Sequence, residues 1–548
     1  MKGTSEERLR YLDSLYPIWH PRTLWQLFCE RSAQIPGNIF ICCDDKEYSY
    51  GEIKKRSITL SAGLYSLGVR AGDHVGIAMG NCVEYILLML AISRLGAVRV
   101  GINPRVKQSE FRNAIATTDV SVLLKEENHA ADSPGSFVAV CNVGREGERT
   151  VVWEELLLAG QGISSNRLQL IEHAPDPQAV SDLIFTSGST SFPKAVEITG
   201  DMLLRSSYAT CRMRRMEQGR RIFIPNPLCH IMAYNEGLLP ALHVGGAVII
   251  TNRRFDAGHA LELMKRHRAN DVVCITYNMI RLLESGLVHK EDYPSLHALY
   301  FAANTPPWAW DRARELFGID DISTGYGMTE CGSTTSVVPS GGGYGAVKYC
   351  NGRLKDGGSA GEYGSGRLLE IKIVDLAIGK PAAENQYGML LCRGCTVTKG
   401  YYRNEEATRR AFTADGWFIT GDICALDAEG NLRFSGRADD VFKINGENVS
   451  PQFLENIIGE CSAVRAVECV GITHDRYGSV GVAFVDPVDH SAKTKAEIES
   501  YCRSNLAQFQ VPRYYFYLGQ AEWPRSDSGK VSKAALRKLA ESLINDTK

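Results

Sequence analysis

Short apolar runs alternate with longer helical periodicities from about residue 21 onward. The apolar run at 74–79 is followed by an amphipathic stretch at 83–95. Further short apolar runs lie at 247–251, 272–276 and 298–302, each after a helix-like segment. Because strands that alternate with helices form sheets covered by helices, this pattern predicts a layered α/β body.

Two later stretches depart from the alternation. Residues 340–366, which precede a strand-like run at 370–374, contain many glycines and few apolar residues. Such a segment buries little surface, so we expect a mobile loop. The polar residues Arg437-Ala438-Asp439-Asp440 precede a stretch with strand and helix signals of its own. We therefore expect a large domain over residues 1–438, a small domain over residues 439–548 and a hinge near Asp439.

Length and charge restrict the classes of function. A chain of 548 residues exceeds the roughly 250 to 300 residues of a single core, which favours two or more domains. The net charge of −2 gives no field that would recruit nucleic acid or an anionic membrane. No stretch reaches the roughly 18 to 20 apolar residues of a membrane span, and the first residues do not read as a signal peptide. We expect a cytoplasmic protein that acts on small molecules.

The 16 cysteines are scattered along the chain. Pairs such as Cys42 with Cys43, or Cys392 with Cys395, lack the second ligand pair that a zinc site requires. We expect reduced, mostly buried thiols.

A hydroxyl-rich loop follows the apolar residues at 183–185. It reads Thr186-Ser187-Gly188-Ser189-Thr190-Ser191-Phe192-Pro193-Lys194. Backbone N–H groups, hydroxyls and a lysine are the groups that bind a polyphosphate, which predicts contacts with the β and γ phosphates of ATP. An ordinary turn has a similar composition, and the spacing is not that of a Walker A loop.

Four further motifs follow in order along the chain. They are Tyr326-Gly327-Met328-Thr329-Glu330, Thr420-Gly421-Asp422, Gly436-Arg437 with Asp439, and Pro524-Arg525-Ser526-Asp527-Ser528-Gly529-Lys530. Together with the loop at 186–194 they make the chain resemble the adenylate-forming superfamily, which holds acyl-CoA synthetases, adenylation domains of peptide synthetases and beetle luciferases. The resemblance extends from about residue 24 to about residue 539. It implies a large N-terminal domain of layered α/β subdomains with a β-barrel-like subdomain, and a small mobile α+β C-terminal domain.

The resemblance implies an AMP-forming acyl-CoA ligase that uses ATP, Mg²⁺ and coenzyme A. A carboxylic acid would react with ATP to give an acyl-adenylate and pyrophosphate, and the acyl group would then pass to coenzyme A with release of AMP. Alternatives are an enzyme that stops at the adenylate, a loader of the phosphopantetheine arm of an acyl carrier protein, and a catalytically retired homologue that binds nucleotide or acyl groups. The oligomeric state, a homodimer included, stays open.

The resemblance also implies contacts with the nucleotide. The phosphate-loop positions are Thr186, Ser187, Gly188, Ser189, Thr190 and Lys194. The positions near the adenosine are Ala303 and Asn304 at the end of a strand, then Tyr326, Gly327, Met328, Asp422 and Arg437. Tyr326 would stack on the purine, Asp422 would accept the two ribose hydroxyls, and Arg437 would contact ribose or phosphate.

Catalytic roles are implied in the same way. Thr329 would contact the α-phosphate and Glu330 would help to hold Mg²⁺, which offsets the charge on the leaving pyrophosphate. Lys530 would bridge the carboxylate and the α-phosphate in the first step. After the small domain turns about the hinge, Lys443 and Gly446 would enter the site in its place.

The acid itself is the least determined part. His230, within residues 227–232, matches the family position at the acyl pocket. Relatives that activate α-amino acids place an Asp in this region, and none stands between Asn226 and Leu239, which favours an acid without an α-amino group. Candidate pocket residues are Tyr234, Asn235, Glu236 and Trp308. For Glu236, a helix cap is the favoured interpretation over a contact with a cationic or hydroxylated substrate.

The chain departs from the family pattern in three ways. Ser191 and Ala195 replace glycines of the phosphate loop, which would stiffen it. Residues 340–366 are longer than the usual connection, and we favour a tolerated insertion. Asn448 stands where many relatives have another polar or basic residue, so a nucleotide contact there stays open.

Overall fold

The structure, a computed structural model, describes most of the chain. The described residues are 3–127, 136–144, 146–163, 175–186, 193–251, 254–302, 305–362, 366–376, 379–444, 447–474, 477–525 and 531–545.

Helices are distributed over the whole chain. They are α1 (Ser5–Leu15), α2 (Leu24–Gln34), α3 (Tyr50–Ser66), α4 (Val83–Leu95), α5 (Gln108–Thr117), α6 (Trp153–Gln161), α7 (Gly200–Met213), α8 (Ile231–Ala233), α9 (Leu239–His243), α10 (Ala257–Arg266), α11 (Thr276–Leu283), α12 (Pro307–Phe317), α13 (Ala346–Tyr349), α14 (Glu405–Ala411), α15 (Pro451–Gly459), α16 (Ala492–Asn505) and α17 (Lys533–Asn545). A π-helical turn, Tyr234–Leu238, joins α8 to α9.

The strands of the described residues form five sheets. They are β1 (Ile39–Cys43), β2 (Lys46–Ser49), β3 (His74–Ala78), β4 (Val98–Gly101), β5 (Val122–Glu127), β6 (Ser136–Cys141), β7 (Arg149–Val152), β8 (Val180–Phe185), β9 (Ala195–Thr199), β10 (Arg221–Phe223), β11 (Ala247–Ile250), β12 (Asp271–Ile275), β13 (Ala298–Ala302), β14 (Ile322–Ser323), β15 (Gly325–Met328), β16 (Ser333–Val337), β17 (Arg353–Leu354), β18 (Leu369–Val374), β19 (Gly388–Gly394), β20 (Phe418–Leu426), β21 (Leu432–Arg437), β22 (Phe442–Ile444), β23 (Glu447–Val449), β24 (Val464–His474), β25 (Gly478–Pro487) and β26 (Tyr514–Tyr517).

Two seven-stranded sheets form the layered body. One has the order β14-β13-β12-β10-β11-β1-β2 and is parallel except at β2. The other has the order β7-β6-β5-β3-β4-β8-β9, with a parallel centre from β5 to β8. The α/β class predicted from the sequence is confirmed, because buried apolar strands alternate with helices as the pattern requires.

Antiparallel strands follow the two large sheets. Strands β15 to β17 form one sheet and β18 to β21 form another, and an isolated bridge between Arg353 and Asn431 joins them. The fifth sheet has the order β23-β22-β25-β24, with β26 beside β25. Its apolar face packs on a core of its own that includes Leu454, Ile458 and Ile498. The domain boundary near Asp439 stays our proposal.

The apolar runs 74–79, 247–251, 272–276 and 298–302 form β3, β11, β12 and β13, as predicted. Helix α4 has the predicted bounds, but its predicted amphipathic character is wrong. Eleven of its residues are buried, because α2 and α3 pack on it and leave little of it exposed.

The prediction of a mobile loop at 340–366 is also wrong for the described residues. This segment contains α13, β17 and a 3₁₀ turn, Gly358–Ala360. Val347, Lys355 and Ala360 are buried, since partners distant in sequence pack against them. The carbonyl of Ala360, for example, accepts a hydrogen bond from Arg205 at 2.5 Å.

Free, mostly buried cysteines are confirmed: all sixteen are free thiols and twelve are buried. Among the described residues, Cys42, Glu47 and His267 lie close enough to share a metal ion. The Arg221 guanidinium already contacts Glu47 at 2.7 Å and the Cys42 sulfur at 3.2 Å, so a cation occupies the cluster. Across the part of the chain that is described, no helix has the length and apolar character needed to cross a membrane.

Candidate nucleotide site

The carboxyl ends of parallel strands from both large sheets meet at one junction. Asn81, after β3, donates to the carbonyl of Asn226, after β10, at 2.8 Å, and its side-chain oxygen accepts from the Leu228 N–H at 2.8 Å. The Asn226 side-chain oxygen accepts from the Ile275 N–H at the end of β12. Open α/β sheets bind ligands at such carboxyl ends, so this junction is where the site is expected.

Glu330 lies on a 3₁₀ turn, Thr329–Cys331, directly after β15. It is 7% exposed, and its Oε1 accepts a hydrogen bond from the Tyr401 hydroxyl at 2.9 Å. The Lys194 ammonium lies 4.5 Å from the centroid of the same Tyr401 ring, within the range of a cation–π interaction. One tyrosine therefore joins the end of the phosphate loop to the predicted Mg²⁺ ligand.

Tyr401 is held there by β9, which begins directly after Lys194. An isolated bridge pairs Tyr401 with Val196, and the Glu197 N–H donates to the carbonyl of Gly400. The Thr186 N–H donates to the carbonyl of Lys194 at 3.0 Å, which closes the base of the loop. The hairpin between β8 and β9 thus carries both described ends of the loop to Glu330.

Close backbone packing explains Gly327. A Cβ there would lie 2.0 Å from the carbonyl oxygen of Ser333 on the paired strand. Any larger residue would push β15 away from β16 and displace Thr329 and Glu330. Gly327 itself is exposed, while Met328 and Thr329 are half-buried.

Asp422 and Arg437 face each other in the register of β20 and β21. Arg437 donates to Asp422 Oδ1 at 2.8 Å and to the carbonyl of Thr420 at 3.0 Å. The Tyr326 hydroxyl donates to the other carboxylate oxygen, Oδ2, at 2.5 Å. Burial opposes the charge of Arg437, but the neighbouring Asp422 raises its pKa, so the guanidinium stays charged.

The Tyr326 ring is 7% exposed and stacks on Phe434 with centroids 5.6 Å apart. One ring face is therefore covered, and a purine would have to approach the other face. Stacking of Tyr326 on the purine stays a prediction.

The residues around Glu330 and those around Asp422 form one electrostatic unit, because charges in each group act on the other. Glu330 and Asp422 both contribute to the field that acts on Arg437, and Arg437 in turn acts on Tyr401. Residues separated by more than 200 positions, from Lys194 to Arg437, are thus brought together, and their roles toward a nucleotide stay predictions.

The predicted adenine-binding strand end is β13. The Thr276 hydroxyl donates to the carbonyl of Ala302 at 3.1 Å, and it lies 2.5 Å from the Thr305 hydroxyl. Ala303 and Asn304 fall outside the described residues. The other predicted positions that fall outside them are Ser187, Gly188, Ser189, Thr190, Ser191, Gly446 and Lys530. Of the second-step residues, Lys443 is exposed on β22.

His230 is half-buried and precedes α8 at the junction of the two sheets. The candidate pocket residues that follow it are buried in protein instead. Tyr234 packs under the Arg99 guanidinium, which lies 4.6 Å from its ring centroid. Asn235 is fully buried and donates to the carbonyl of Gly332 at 2.8 Å. Both side chains are almost fully buried, and Tyr234 borders a small cavity that Arg99, Asp182 and Leu204 also line. The place of Tyr234 and Asn235 at an acyl pocket stays a prediction.

One further prediction from the sequence is wrong. Glu236 does not cap a helix: its carboxylate is fully buried and paired with Lys355 at 3.0 Å. Trp308 donates from Nε1 to the carbonyl of Arg465 in the C-terminal part at 2.6 Å, and its place at the acyl pocket stays a prediction. Both partners are far away in sequence, so no local pattern indicated them.

Sequence reasoning missed Tyr401, Phe434 and Lys355. The only local signal for Tyr401 is its place in Lys399-Gly400-Tyr401-Tyr402, a pair of aromatic residues after a glycine with positive φ. Phe434 and Lys355 carry no such signal, because their roles depend entirely on partners from other strands.

The donor set at Glu330 fits Mg²⁺. Among the described residues, Tyr401 alone donates a side-chain hydrogen bond to this carboxylate, and it uses Oε1. The second oxygen, Oε2, and the Thr329 hydroxyl on the same turn are the oxygen atoms that would hold the cation. Carboxylate and hydroxyl oxygens are the hard ligands that Mg²⁺ prefers.

Two family models match the chain. A family model for AMP-binding enzymes matches residues 28–402, and a model for the C-terminal domain of these enzymes matches residues 454–530. The chain belongs to the AMP-binding enzyme family. The resemblance to adenylate-forming enzymes, and with it the expectation of an AMP-forming ligase, is confirmed at the level of the family.

Curated relatives match over nearly the whole chain. A methyl-dioxo-octahydroindenyl-propanoyl:CoA ligase of Mycobacterium tuberculosis is 29% identical, over 92% of this chain and 96% of its own. The 4-coumarate–CoA ligase 2 of Solanum tuberosum is 28% identical, over 92% of this chain and 91% of its own.

Solved structures show the same fold. The anthranilate CoA ligase AuaEII in complex with anthranoyl-AMP has a TM-score of 0.81 at 20% identity, over 97% of this chain and 99% of that chain. ATP-bound MatB from Rhodopseudomonas palustris has a TM-score of 0.79 at 21% identity, over 95% of this chain and 99% of that chain. At this identity the likeness concerns the fold alone.

Proposed function

We propose that this chain activates a carboxylic acid with ATP, releases pyrophosphate, and transfers the acyl group of the adenylate to coenzyme A with release of AMP. The observation that carries the proposal is the contact of Lys194 and Glu330 through Tyr401, with Asp422 and Arg437 in the same electrostatic unit. A lysine for phosphate, a carboxylate for Mg²⁺ and a carboxylate for ribose are the groups that ATP requires. The names of the curated relatives support coenzyme A as the acceptor.

In the first step, different residues of the site would bind different parts of ATP. Lys194 and the loop that it closes would bind the β and γ phosphates, and the Thr329 hydroxyl would contact the α-phosphate. Glu330 would hold Mg²⁺, which offsets the charge that develops on the leaving pyrophosphate. Asp422, oriented by Tyr326 and Arg437, would accept the ribose hydroxyls. Fixed groups of this kind stabilise the transition state without reorganising.

Contacts of the C-terminal part support the pose for adenylation. The Arg525 guanidinium lies 5.3 Å from the ring centroid of Tyr277, the second residue of α11. Arg525 and Val531, which flank Lys530 in sequence, pair with each other. Arg525 therefore lies beside α11, the helix that precedes the predicted adenine-binding strand β13. In our proposal Lys530 acts in this pose, and Lys443 acts after the small domain turns about Asp439.

The buried state of Glu236 supports an acid without an α-amino group. A substrate ammonium needs an accessible carboxylate, and the carboxylate of Glu236 is already paired with Lys355 inside the protein. Within the described segment from His230 to Leu239 no other acidic side chain occurs. We propose that His230 borders the acyl pocket, with the reacting carboxylate as the charged group of the acid.

A pyrophosphate-release screen tests the proposal. The acids would include those named for relatives and neighbours: 4-coumarate, anthranilate, o-succinylbenzoate and the bicyclic propanoate. We expect release with at least one acid, followed by its CoA thioester once coenzyme A is added. Glu330→Gln should lower release by about a hundredfold, whereas Glu370→Gln, at an exposed position of β18, should not change it.

Each other outcome contradicts a definite part of the proposal. Pyrophosphate release without a CoA thioester would leave an adenylate-only enzyme or a carrier-protein loader. Absence of release across the whole panel would favour a homologue that has lost catalysis.

A further inference from the structure

Glu236 and Lys355 form an ion pair that is enclosed by protein. The Lys355 ammonium lies 3.0 Å from Glu236 Oε1, and the side chains are 1% and 0% exposed. Glu236 stands in the π-helical turn Tyr234–Leu238, and Lys355 directly follows β17 in the glycine-rich segment. π turns of this kind occur frequently at functional sites.

Both oxygens of the Glu236 carboxylate have further partners. Oε1 accepts from the Thr334 hydroxyl at 2.6 Å and from the Thr334 N–H at 3.2 Å. Oε2 accepts from the Thr210 hydroxyl of α7 at 2.8 Å. Burial works against the charge, but Lys355 lowers the pKa of Glu236, so the carboxylate is ionised. The network is fully satisfied at the carboxylate and links α7, the π turn and β16.

The same network holds the turn that carries Glu330. The carbonyl of Gly332 accepts from the Ser206 hydroxyl at 2.6 Å and from Asn235 at 2.8 Å. Lys355 donates to the carbonyl and hydroxyl of Ser206, and Asn235 is the neighbour of Glu236 in the π turn. The two side chains that hold the Gly332 carbonyl are therefore both tied to the ion pair. Ser206 is bound by Lys355, and Asn235 is the neighbour of Glu236 in the chain.

Gly332 in turn defines the conformation of the 3₁₀ turn. It has φ +70°, a value that glycine adopts without strain, and its N–H donates to the carbonyl of Thr329 at 3.2 Å. Two residues later Thr334 is anchored on Glu236. The turn is therefore fixed at its base, while Tyr401 orients the Glu330 carboxylate at its outer end.

Stability alone does not account for an ion pair at this place. Two buried charges lose their hydration, and well-packed apolar residues of similar volume often stabilise a protein as much or more. What a satisfied buried network provides is a single geometry. We propose that Glu236 and Lys355 are positioning residues for Glu330, whose placement they fix through Ser206, Asn235 and the Gly332 carbonyl. This inference rests on the proposed function of Glu330.

The test uses a double variant, Glu236→Gln with Lys355→Met. Removing one partner leaves a buried unpaired charge and strongly destabilises the chain, whereas removing both charges keeps the shape and the fold. Binding of ATP would be measured by calorimetry at increasing Mg²⁺, without any acid, and thermal unfolding would be followed on the same samples. We expect the folded double variant to need about tenfold more Mg²⁺ for half-maximal ATP binding.

Arg94→Met is the matched control. Arg94 is 1% exposed and donates to the Ser61 hydroxyl at 2.6 Å, between α3 and α4 and away from Glu330. This variant also loses a buried charge, but its Mg²⁺ dependence should stay within about twofold of that of the unaltered chain.

The outcomes separate the two proposals. If the unaltered chain binds Mg·ATP and the folded double variant shows the same Mg²⁺ dependence, the positioning role is overturned while the proposed function stands. If the unaltered chain binds no ATP at any Mg²⁺ concentration, the proposed function fails, and the role assigned to Glu236 and Lys355 fails with it.

Discussion

Two buried tyrosines each donate a hydrogen bond to a carboxylate of the site. Tyr401 donates to Glu330 and Tyr326 donates to Asp422. Burial first, and then the neighbouring carboxylate, raise the pKa of both hydroxyls, so each remains a neutral donor at physiological pH. A neutral donor orients a carboxylate without cancelling its charge. The Tyr401 hydroxyl therefore adds no charge of its own beside Glu330.

Replacement of Tyr401 by Phe tests this arrangement at one atom. The ring that faces Lys194 is kept and the hydrogen bond to Glu330 is lost. Because hydrogen bonds to charged groups contribute about 1.5 to 3 kcal/mol, pyrophosphate release should fall by roughly tenfold to a hundredfold. The rate of release at saturating acid would be measured.

The adjacent tyrosine provides the control. Tyr402 donates to Asp119 at 3.0 Å, outside the site, and Tyr402→Phe should leave the rate unchanged. Equal losses in the two variants would contradict the role of Tyr401.

Asp422→Asn tests the ribose contact. The amide keeps the shape but loses the charge that pairs with Arg437 and that would accept the ribose hydroxyls. We expect the KM for ATP to rise about tenfold or more, while the KM for the acid changes little. Asp427→Asn, in the hairpin that joins β20 to β21, should change neither constant. An increase confined to the KM of the acid would place Asp422 in the acyl pocket instead.

At the scale of single elements, charged residues join helices to strands within the C-terminal part. The Lys533 ammonium, at the start of α17, contacts Glu455 of α15 and Glu468 of β24. The Glu455 carboxylate also accepts from the Cys469 N–H at 2.7 Å. One ammonium is thus shared by two carboxylates, and it anchors the helix that begins three residues after Lys530.

This cluster makes stability depend on pH. Burial raises the pKa of Glu455 to about 7, whereas its ordinary value is 4.5. At a pH between these two pKa values, Glu455 holds a proton in the folded chain and releases it in the unfolded chain. The free energy of unfolding therefore falls as pH rises. Between pH 5.5 and 8 it falls by about 1 to 2 kcal/mol.

Glu455→Gln removes this titration. We expect the difference in unfolding temperature, variant minus unaltered chain, to become more positive from pH 5.5 to pH 8, as followed by circular dichroism. A difference that stays constant across this range would show that Glu455 does not titrate there.

At the scale of the whole molecule, described contacts between the C-terminal part and the large domain include a hydrogen bond from the Ser450 hydroxyl to the carbonyl of Ser435. Trp308 donates to the carbonyl of Arg465, and Arg525 packs over Tyr277. Polar contacts of this kind are typical of interfaces between domains, in line with our proposal that the small domain turns about Asp439.

The lysines proposed for the two poses separate the two chemical steps. Lys530→Ala should lower adenylation by at least about a hundredfold, because a unit charge near the developing negative charge is lost. Formation of the thioester from supplied acyl-adenylate should persist. Lys443→Ala should have the opposite pattern, and both half-reactions would be measured by rapid quench. Equal loss of both steps in both variants would contradict two alternating poses.

The sequence by itself determined the α/β class and the family, and it named the candidate residues of the site. Strands such as β3 and β13 are apolar runs whose signal lies within six residues, and hydrophobic periodicity is a local property. The motif residues Lys194, Glu330 and Asp422 could be identified because their spacing along the chain is characteristic of the family.

Only the tertiary structure decided which side chains meet. Glu236 and Lys355 stand 119 positions apart, and Trp308 and Arg465 stand 157 apart. A charged or aromatic side chain has the same local sequence whether it faces solvent or a partner from another strand. The sequence therefore could not predict the ion pair, the packing of the described glycine-rich residues or the place of Tyr401. Each of these depends on contacts between residues that are far apart along the chain.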